Sequence, residues 1–557
     1  MRRLILTVIC LAFVFGSYAQ GLSERVFLMT DRHVYVAGDD IWCSAFCVDA
    51  SDGKLSDFSS ICYIGLCSTE GQVLSGKAAL SGGRGSARLT IPKTVPTGNY
   101  RLYACTAIEL SESEHSFCAR TVSIINPYSN NRVKDGVKIV DEQEGSGLPA
   151  DQDCGSVVVA VPSALKASSV ASVSMINGGK DASVGVSVWR DDGIVAPRSA
   201  GVQDFKAAIG FGGQHPGGGQ GEYEGEIIRG KVVGLEPGQL DGLIGHLAFI
   251  AAPGTQPDLY VSEIAEDGSV AFYTPNIFGD RELVCEVGGM EKDWNAHLEL
   301  DSPFAAVTYD DISQLQLSSS MADRISSRAM ASQVEKAFDA DTLYDLLPFR
   351  NNVILSQSDA KRYVLDDYTR FPTMAEVITE FVTEMRTRKD AVGNTDLQVR
   401  VENLYQAWTF MTGQSLIMID GVPVFDHKKV MDYDPLLVEY MDIYPNQYLI
   451  GGHAFSGVAN LVTYKRNLPS VEFDNNVRIV DFIGASYPMA YTCRGLSDDY
   501  PDLRYTAYWH PDVDLKAGEE YGFEIKIPSV PGSYVVEVEG FDVDGAPIHT
   551  VSRFSVE

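Results

Sequence analysis

The chain has 557 residues, a formal net charge of −31 and a pI near 4.6, with 45% hydrophobic and 21% charged residues. That composition is globular rather than disordered, and the length calls for about four to six domains of ordinary size. The acidity argues against nucleic acid and anionic lipid as direct partners, because both demand clustered Lys and Arg.

The first residues read as an export signal. Arg2 and Arg3 precede an apolar run over 4–15, and Ser17-Tyr18-Ala19 offers small residues for cleavage between Ala19 and Gln20. An uncleaved membrane anchor is the alternative, for which the run is short. Cys10 has no typical lipobox before it. No later apolar run approaches the ~20 residues that cross a bilayer, so no transmembrane span is expected in the mature chain.

Residues 20–126 read as a β-sandwich. Strands over 26–30 and 41–48 flank a corner at 31–39. Ala87, Leu89 and Ile91 then alternate with polar neighbours, Pro92, Pro96 and Gly98 punctuate a turn, and 100–104 returns. The pattern Thr30-Asp31-Arg32-x-x-Tyr35-x-x-Gly38-x-x-Ile41-Trp42, with Ile91-Pro92 and Gly98-x-Tyr100, resembles the second macroglobulin-like domain of the α2-macroglobulin superfamily. These are fold residues: Tyr35 is expected to place its hydroxyl on backbone, and Gly38 to take a positive φ.

Nine of the ten cysteines lie beyond the signal, six of them from Cys43 to Cys118. Their spacings match no zinc pattern. Cys105 ends one strand-like run and Cys118 begins another, so a cross-strand disulfide is a candidate there, stabilising by about 3 kcal/mol on the chain-entropy model. Buried free thiols acting as small hydrophobes are the alternative for the others.

Residues 127–200 read as a further β domain, with Val157, Val159, Val161 and later Val184, Val186, Val188 in alternation. Residues 201–222, rich in Gly, read as a flexible linker. Residues 223–300 contain Gly230-Lys231-Val232 and Asp267-Gly268-Ser269-Val270-Ala271-Phe272, which resemble the carboxypeptidase-regulatory-like domain, with Val270 in place of its first Phe. Residues 301–365 form a connecting segment with a helix over 321–338.

Residues 366–470 open on a capping box, Thr373-Met374-Ala375-Glu376, and an apolar stripe of Val377, Ile378, Phe381, Val382 and Met385. Leu416-Ile417-Met418-Ile419-Asp420-Gly421-Val422-Pro423-Val424 and Gly457-Val458-Ala459-Asn460-Leu461-Val462-Thr463 follow. They resemble the plug of a TonB-dependent outer-membrane receptor, a small α/β domain. The residues after Tyr464 are too few for a barrel of about 22 strands, so no pore of its own is expected, and a TonB box is missing. Residues 471–557 read as a C-terminal sandwich whose turn, Ile527-Pro528-Ser529-Val530-Pro531-Gly532-Ser533-Tyr534, echoes 91–100.

Motifs for enzymatic chemistry are lacking: there is no H-E-x-x-H helix, no G-x-S-x-G elbow and no phosphate loop. No catalytic, cofactor-binding or metal-binding residue is singled out. Asp498-Asp499-Tyr500-Pro501-Asp502 is better read as a solvated loop than as a Ca²⁺ site. Adjacency of Asp366 and Asp367 does not set a catalytic carboxylate separation.

The expected fold class is mainly β and multidomain: immunoglobulin-like, macroglobulin-type sandwiches plus a small α/β plug-like domain. The order of parts resembles exported Gram-negative envelope proteins that combine these modules. The resemblance implies a periplasmic or outer-membrane-associated protein without enzymatic activity or cofactor. It would contact other envelope proteins as an adaptor or accessory, with TonB-dependent transport as one setting. The alternatives are a macroglobulin-like protease inhibitor, which would lack the Cys-Gly-Glu-Gln thioester, and more remotely a periplasmic hydrolase with a dispersed site.

Overall fold

The computed structural model describes residues 22–112, 117–141, 153–194, 196–209, 220–255, 257–288, 294–339, 343–349, 354–389, 395–402, 408–409, 414–492 and 501–557. The chain is mainly β and multidomain, and it divides into two units. One comprises residues 1–225, 303–349 and 484–557; the other comprises 226–302 and 350–483.

In the first unit, Glu24–Thr30 and Asp40–Asp49 pair antiparallel and begin a sandwich that ends on Gly98–Cys105, Arg120–Ile125 and Val34–Val36. The strand Gly71–Ser81 pairs with Ile61–Ser68 along most of its length and with Arg84–Thr90 at its end, so it joins the two faces. One side of Glu24–Thr30 and Asp40–Asp49 fills the sandwich core with Val26, Leu28, Ile41 and Cys43. The other side buries Phe27, Met29, Trp42 and Phe46 in a second cluster with Trp509 and Phe541. These strands are therefore covered on both faces, which is why their sequences run apolar without alternation.

The second sandwich is discontinuous in sequence. One sheet is Val157–Ala160, Val170–Asn177 and Glu520–Lys526; the other contains Thr506–Leu515, Ala182–Asp191, Gly532–Asp542 and Pro547–Val556. The strands of 157–191 and 506–556, assigned above to two domains (127–200 and 471–557), thus make one sandwich. The physical reason is burial: each early strand has an apolar face that the others cannot cover. Ala182–Asp191 accordingly sits between Thr506–Leu515 and Gly532–Asp542, and a single core holds Val173, Val186, Val513 and Val536.

Close approach across this sheet demands glycine. A Cβ on Gly540 would lie 2.1 Å from Ser183 O and 2.7 Å from Val184 Cα. Gly540→Ala should cost about 3 kcal/mol, the upper end of the overpacking range, read as a lower urea midpoint; an unchanged midpoint would contradict this packing.

The two turns that echo one another share a device. Tyr100 Oη donates to Pro96 O at 2.6 Å and Tyr534 Oη to Val530 O at 2.9 Å, each four residues back. Both rings are fully buried, one in each core.

One assignment shifts, and the helix expected over 321–338 is present. Residues 202–209 within the expected linker form the helix Val202–Ile209, whose Val202, Phe205 and Ile209 enter the cluster around Phe27. Spacing of three and four residues on one face outweighs the neighbouring glycines; residues 210–219 lie outside the described set. The helix Ala322–Val334 continues as a π-turn, Glu335–Asp339, and its Arg328 donates to Asp192 Oδ2 at 2.6 Å and Val34 O at 2.7 Å.

In the second unit, Ile227–Val233, Ser269–Tyr273 and His297–Leu300 form a small sheet facing Asp258–Glu263, Leu247–Ala252 and Arg281–Val287. Arg478–Phe482 adds to the edge of the latter sheet, so part of the expected C-terminal sandwich belongs here. A third sheet runs Lys361–Val364, Val438–Ile450, His453–Thr463, Leu416–Ile419, Val422–Pro423. Its first strand starts before the expected boundary at 366, because Tyr363 is needed in the core. Thr373 Oγ1 accepts from Glu376 N and caps Met374–Phe381, whose Met374, Val377 and Ile378 are buried.

Candidate functional site

The corner at 31–39 locks the two sandwiches of the first unit together. Asp31 is fully buried. It accepts from Trp42 N at 3.0 Å and Thr506 Oγ1 at 2.5 Å, and pairs with Arg32 Nη1 at 2.7 Å. Tyr35 Oη lies 2.7 Å from Arg32 O and 2.8 Å from Asp31 Oδ1. Arg32 also reaches Asp39 at 2.9 Å and Thr506 Oγ1 at 2.8 Å, and Gly38 turns with φ +99°. Burial raises the Asp31 carboxyl above the usual range against the opposing pull of Arg32. The expected backbone contact of Tyr35 is present, but the corner acts beyond its own loop through Thr506, which no local pattern marks.

Cys105 and Cys118 are not brought together as a disulfide; both are free, like every described cysteine. Cys105 is buried on its strand, and burial pushes its thiol well up. Burial pushes the Cys118 thiol up to about 12, so it is a protonated thiol at neutral pH. Ala19, Gln20 and Asp498–Tyr500 lie outside the described residues. Asp502 is occupied by Arg504, at 2.7 Å, and Asp366 by Arg370 at 2.5 Å and Tyr464 Oη at 2.6 Å.

The second unit contains an open cleft of about 490 Å³ lined by Arg229, Glu263, Asp301, Gly451 and His453, among others. His453 Nε2 lies 3.8 Å from Glu263 Oε1. The cleft brings acid and base groups together, as the hydrolase alternative requires. Its serine neighbours are engaged elsewhere: Ser262 Oγ bonds Glu263 O and accepts from Ala271 N, and Ser269 bonds Asp267.

The sheet Val157–Ala160, Val170–Asn177, Glu520–Lys526 turns to solvent a face on which a few apolar side chains stand among Ser172, Ser174, Glu520 and Glu524. Val158 and Ile176 are direct cross-strand partners and are 62% and 44% exposed; Val170, 66% exposed, lies on the same face. The next strand places Glu520 beside Ile176 and Lys526 beside Val170. Two exposed β-branched side chains thus face each other across the strands, with charged residues on the next strand. A signal for it exists in Val157-Val158-Val159: three valines in succession on a half-buried strand put one of them outside.

No helix among the described residues is long and apolar enough to cross a membrane. No family model and no curated protein matches the chain. Among solved structures it is similar to native Escherichia coli α-2-macroglobulin (8% identity, TM-score 0.24, covering 96% of this chain and 40% of that one). A second is Salmonella α-2-macroglobulin reacted with methylamine (9%, 0.24, 96% and 40%). A third is dimeric latent PorU from Porphyromonas gingivalis (9%, 0.14, 96% and 34%). The chain spans about two fifths of the length of the two macroglobulins.

Proposed function

We propose that the chain is an exported, non-enzymatic adaptor of the Gram-negative envelope that binds another protein through the outer face of its discontinuous sandwich. The observation that carries this reading is the exposed Val158–Ile176 pair with Val170. An edge-on or face-on β contact there would remove apolar surface from water and use strand geometry already in place. The parallel pairing of Leu416–Ile419 with His453–Thr463, next to the hairpin closed by Asp420 and Gly421, supports a plug-like module in the second unit. Outer-membrane receptors are therefore the partner class this reading favours, and the periplasmic face of the outer membrane its location.

Photo-cross-linking from position 158 or 176 in intact cells tests the reading. Adducts with an envelope protein are expected, and Ile176→Glu with the probe at 158, or Val158→Glu with the probe at 176, should abolish them at unchanged thermal stability. Exposed positions tolerate such changes within about 0.5 kcal/mol. Recovery of the chain alone, or adducts indifferent to the substitutions, would overturn the proposal.

A further inference from the structure

We propose that Glu537, Glu539 and His549 form a buried site for one divalent transition-metal ion, with zinc the ion that suits its donor set. Glu537 and Glu539 stand two apart on Gly532–Asp542, hence on one face, and His549 is the direct partner of Glu539 on Pro547–Val556. That face is opposite the sandwich core and packs towards the first sandwich. One ligand atom from each residue lies within 4.8 Å of the other two, and all three residues are at least 95% buried.

The unmet hydrogen-bonding capacity points to a cation. Glu537 Oε2 faces His33 Nε2 at 3.2 Å and Trp189 Nε1 at 3.3 Å. Glu539 Oε2 receives Arg120 Nη1 at 2.5 Å, and Arg120 Nη2 lies 3.9 Å from Glu537 Oε1. Glu539 Oε1 and His549 Nδ1 are buried without a hydrogen-bond partner. An unpaired carboxylate oxygen and an unpaired imidazole nitrogen in one buried site are costly. Both are Lewis bases, and a metal ion satisfies both at once. Tetrahedral zinc with bonds of about 2.0–2.1 Å needs ligand atoms about 3.4 Å apart. Side-chain rotation of roughly an ångström closes the observed spacing, and water takes the fourth position.

Glu537 and Glu539 already hold His33 and Arg120 of the first sandwich, so the ion acts as a structural clip at the junction. The test uses the full chain stripped with a chelator and dialysed, then titrated with Zn²⁺ by calorimetry and with Co²⁺ by visible absorption. Expected are one ion per chain, a tetrahedral Co²⁺ spectrum and a higher Tm on adding Zn²⁺. Glu539→Gln and His549→Gln should each weaken binding at least tenfold. Failure of the wild-type chain to bind overturns the proposal. So does zinc binding of undiminished affinity in both variants, which would assign the ion to thiols elsewhere. If the variants do not fold, the wild-type Tm response and the Co²⁺ spectrum decide alone: an oxygen–nitrogen spectrum supports the site, and a thiolate charge-transfer band or no shift overturns it.

Discussion

Asp31→Ala should lower the stability of the first unit by about 3–5 kcal/mol, the range for removing one partner of a buried ion pair. The loss has three parts. Arg32 stays buried with one of its two close ion-pair partners gone, Trp42 N–H loses its acceptor, and Thr506 loses one of its two bonds to the corner. Asp31→Asn keeps an acceptor for Trp42 N–H and should cost less. Urea unfolding followed by circular dichroism reads both. A cycle with Thr506→Val should give a coupling energy of about 1 kcal/mol or more, since the two side chains touch. A change below about 1 kcal/mol in Asp31→Ala, with no coupling, would show that the corner is not the junction.

Asp420→Ala should be comparably damaging in the second unit. Asp420 and Gly421, at φ +49° and +83°, form the two-residue loop between Leu416–Ile419 and Val422–Pro423. Two successive positive φ values are the requirement of a type I′ hairpin, which Asp-Gly meets. The Asp420 side chain is fully buried and accepts from Thr463 N at 2.7 Å, Thr463 Oγ1 at 2.7 Å and Leu468 N at 2.9 Å. Alanine leaves two buried N–H groups unpaired, each costing about 1–3 kcal/mol, and it disfavours the left-handed backbone. A total of about 3–5 kcal/mol follows, with Asp420→Asn milder because asparagine tolerates that backbone. Thermal unfolding and amide exchange at Thr463 and Leu468 check this; protection that survives in the alanine variant would refute it.

Local chemistry was the legible part of this chain. The corner with Tyr35 and Gly38, the two tyrosine turns at 100 and 534, the Thr373 cap and the paired segments at 416–423 and 457–463 all rest on residues close in sequence. Strand partnership was not legible. Alternation in Val184, Val186 and Val188 announces a buried face, yet nothing local says that Thr506–Leu515 and Gly532–Asp542 cover its flanks. The same limit hid the acidic pair. Glu537 and Glu539 alternate with Val536 and Val538, which reads as charge facing water; here the charged side faces Arg120 and His33. The helix Val202–Ile209 was concealed by composition, since the glycines beyond it dominated the segment.

Because Ala182–Asp191 is flanked on both sides by strands from 506–542, it cannot be secured until those residues have left the ribosome. During synthesis the early half of that sandwich is an orphan with bare edges, while residues 226–302 have already emerged. Long-range pairing of this kind is slow and exposes sticky intermediates. A polypeptide built this way gains from chaperones that hold its early strands apart until the last ones arrive, because half-finished folding would invite aggregation.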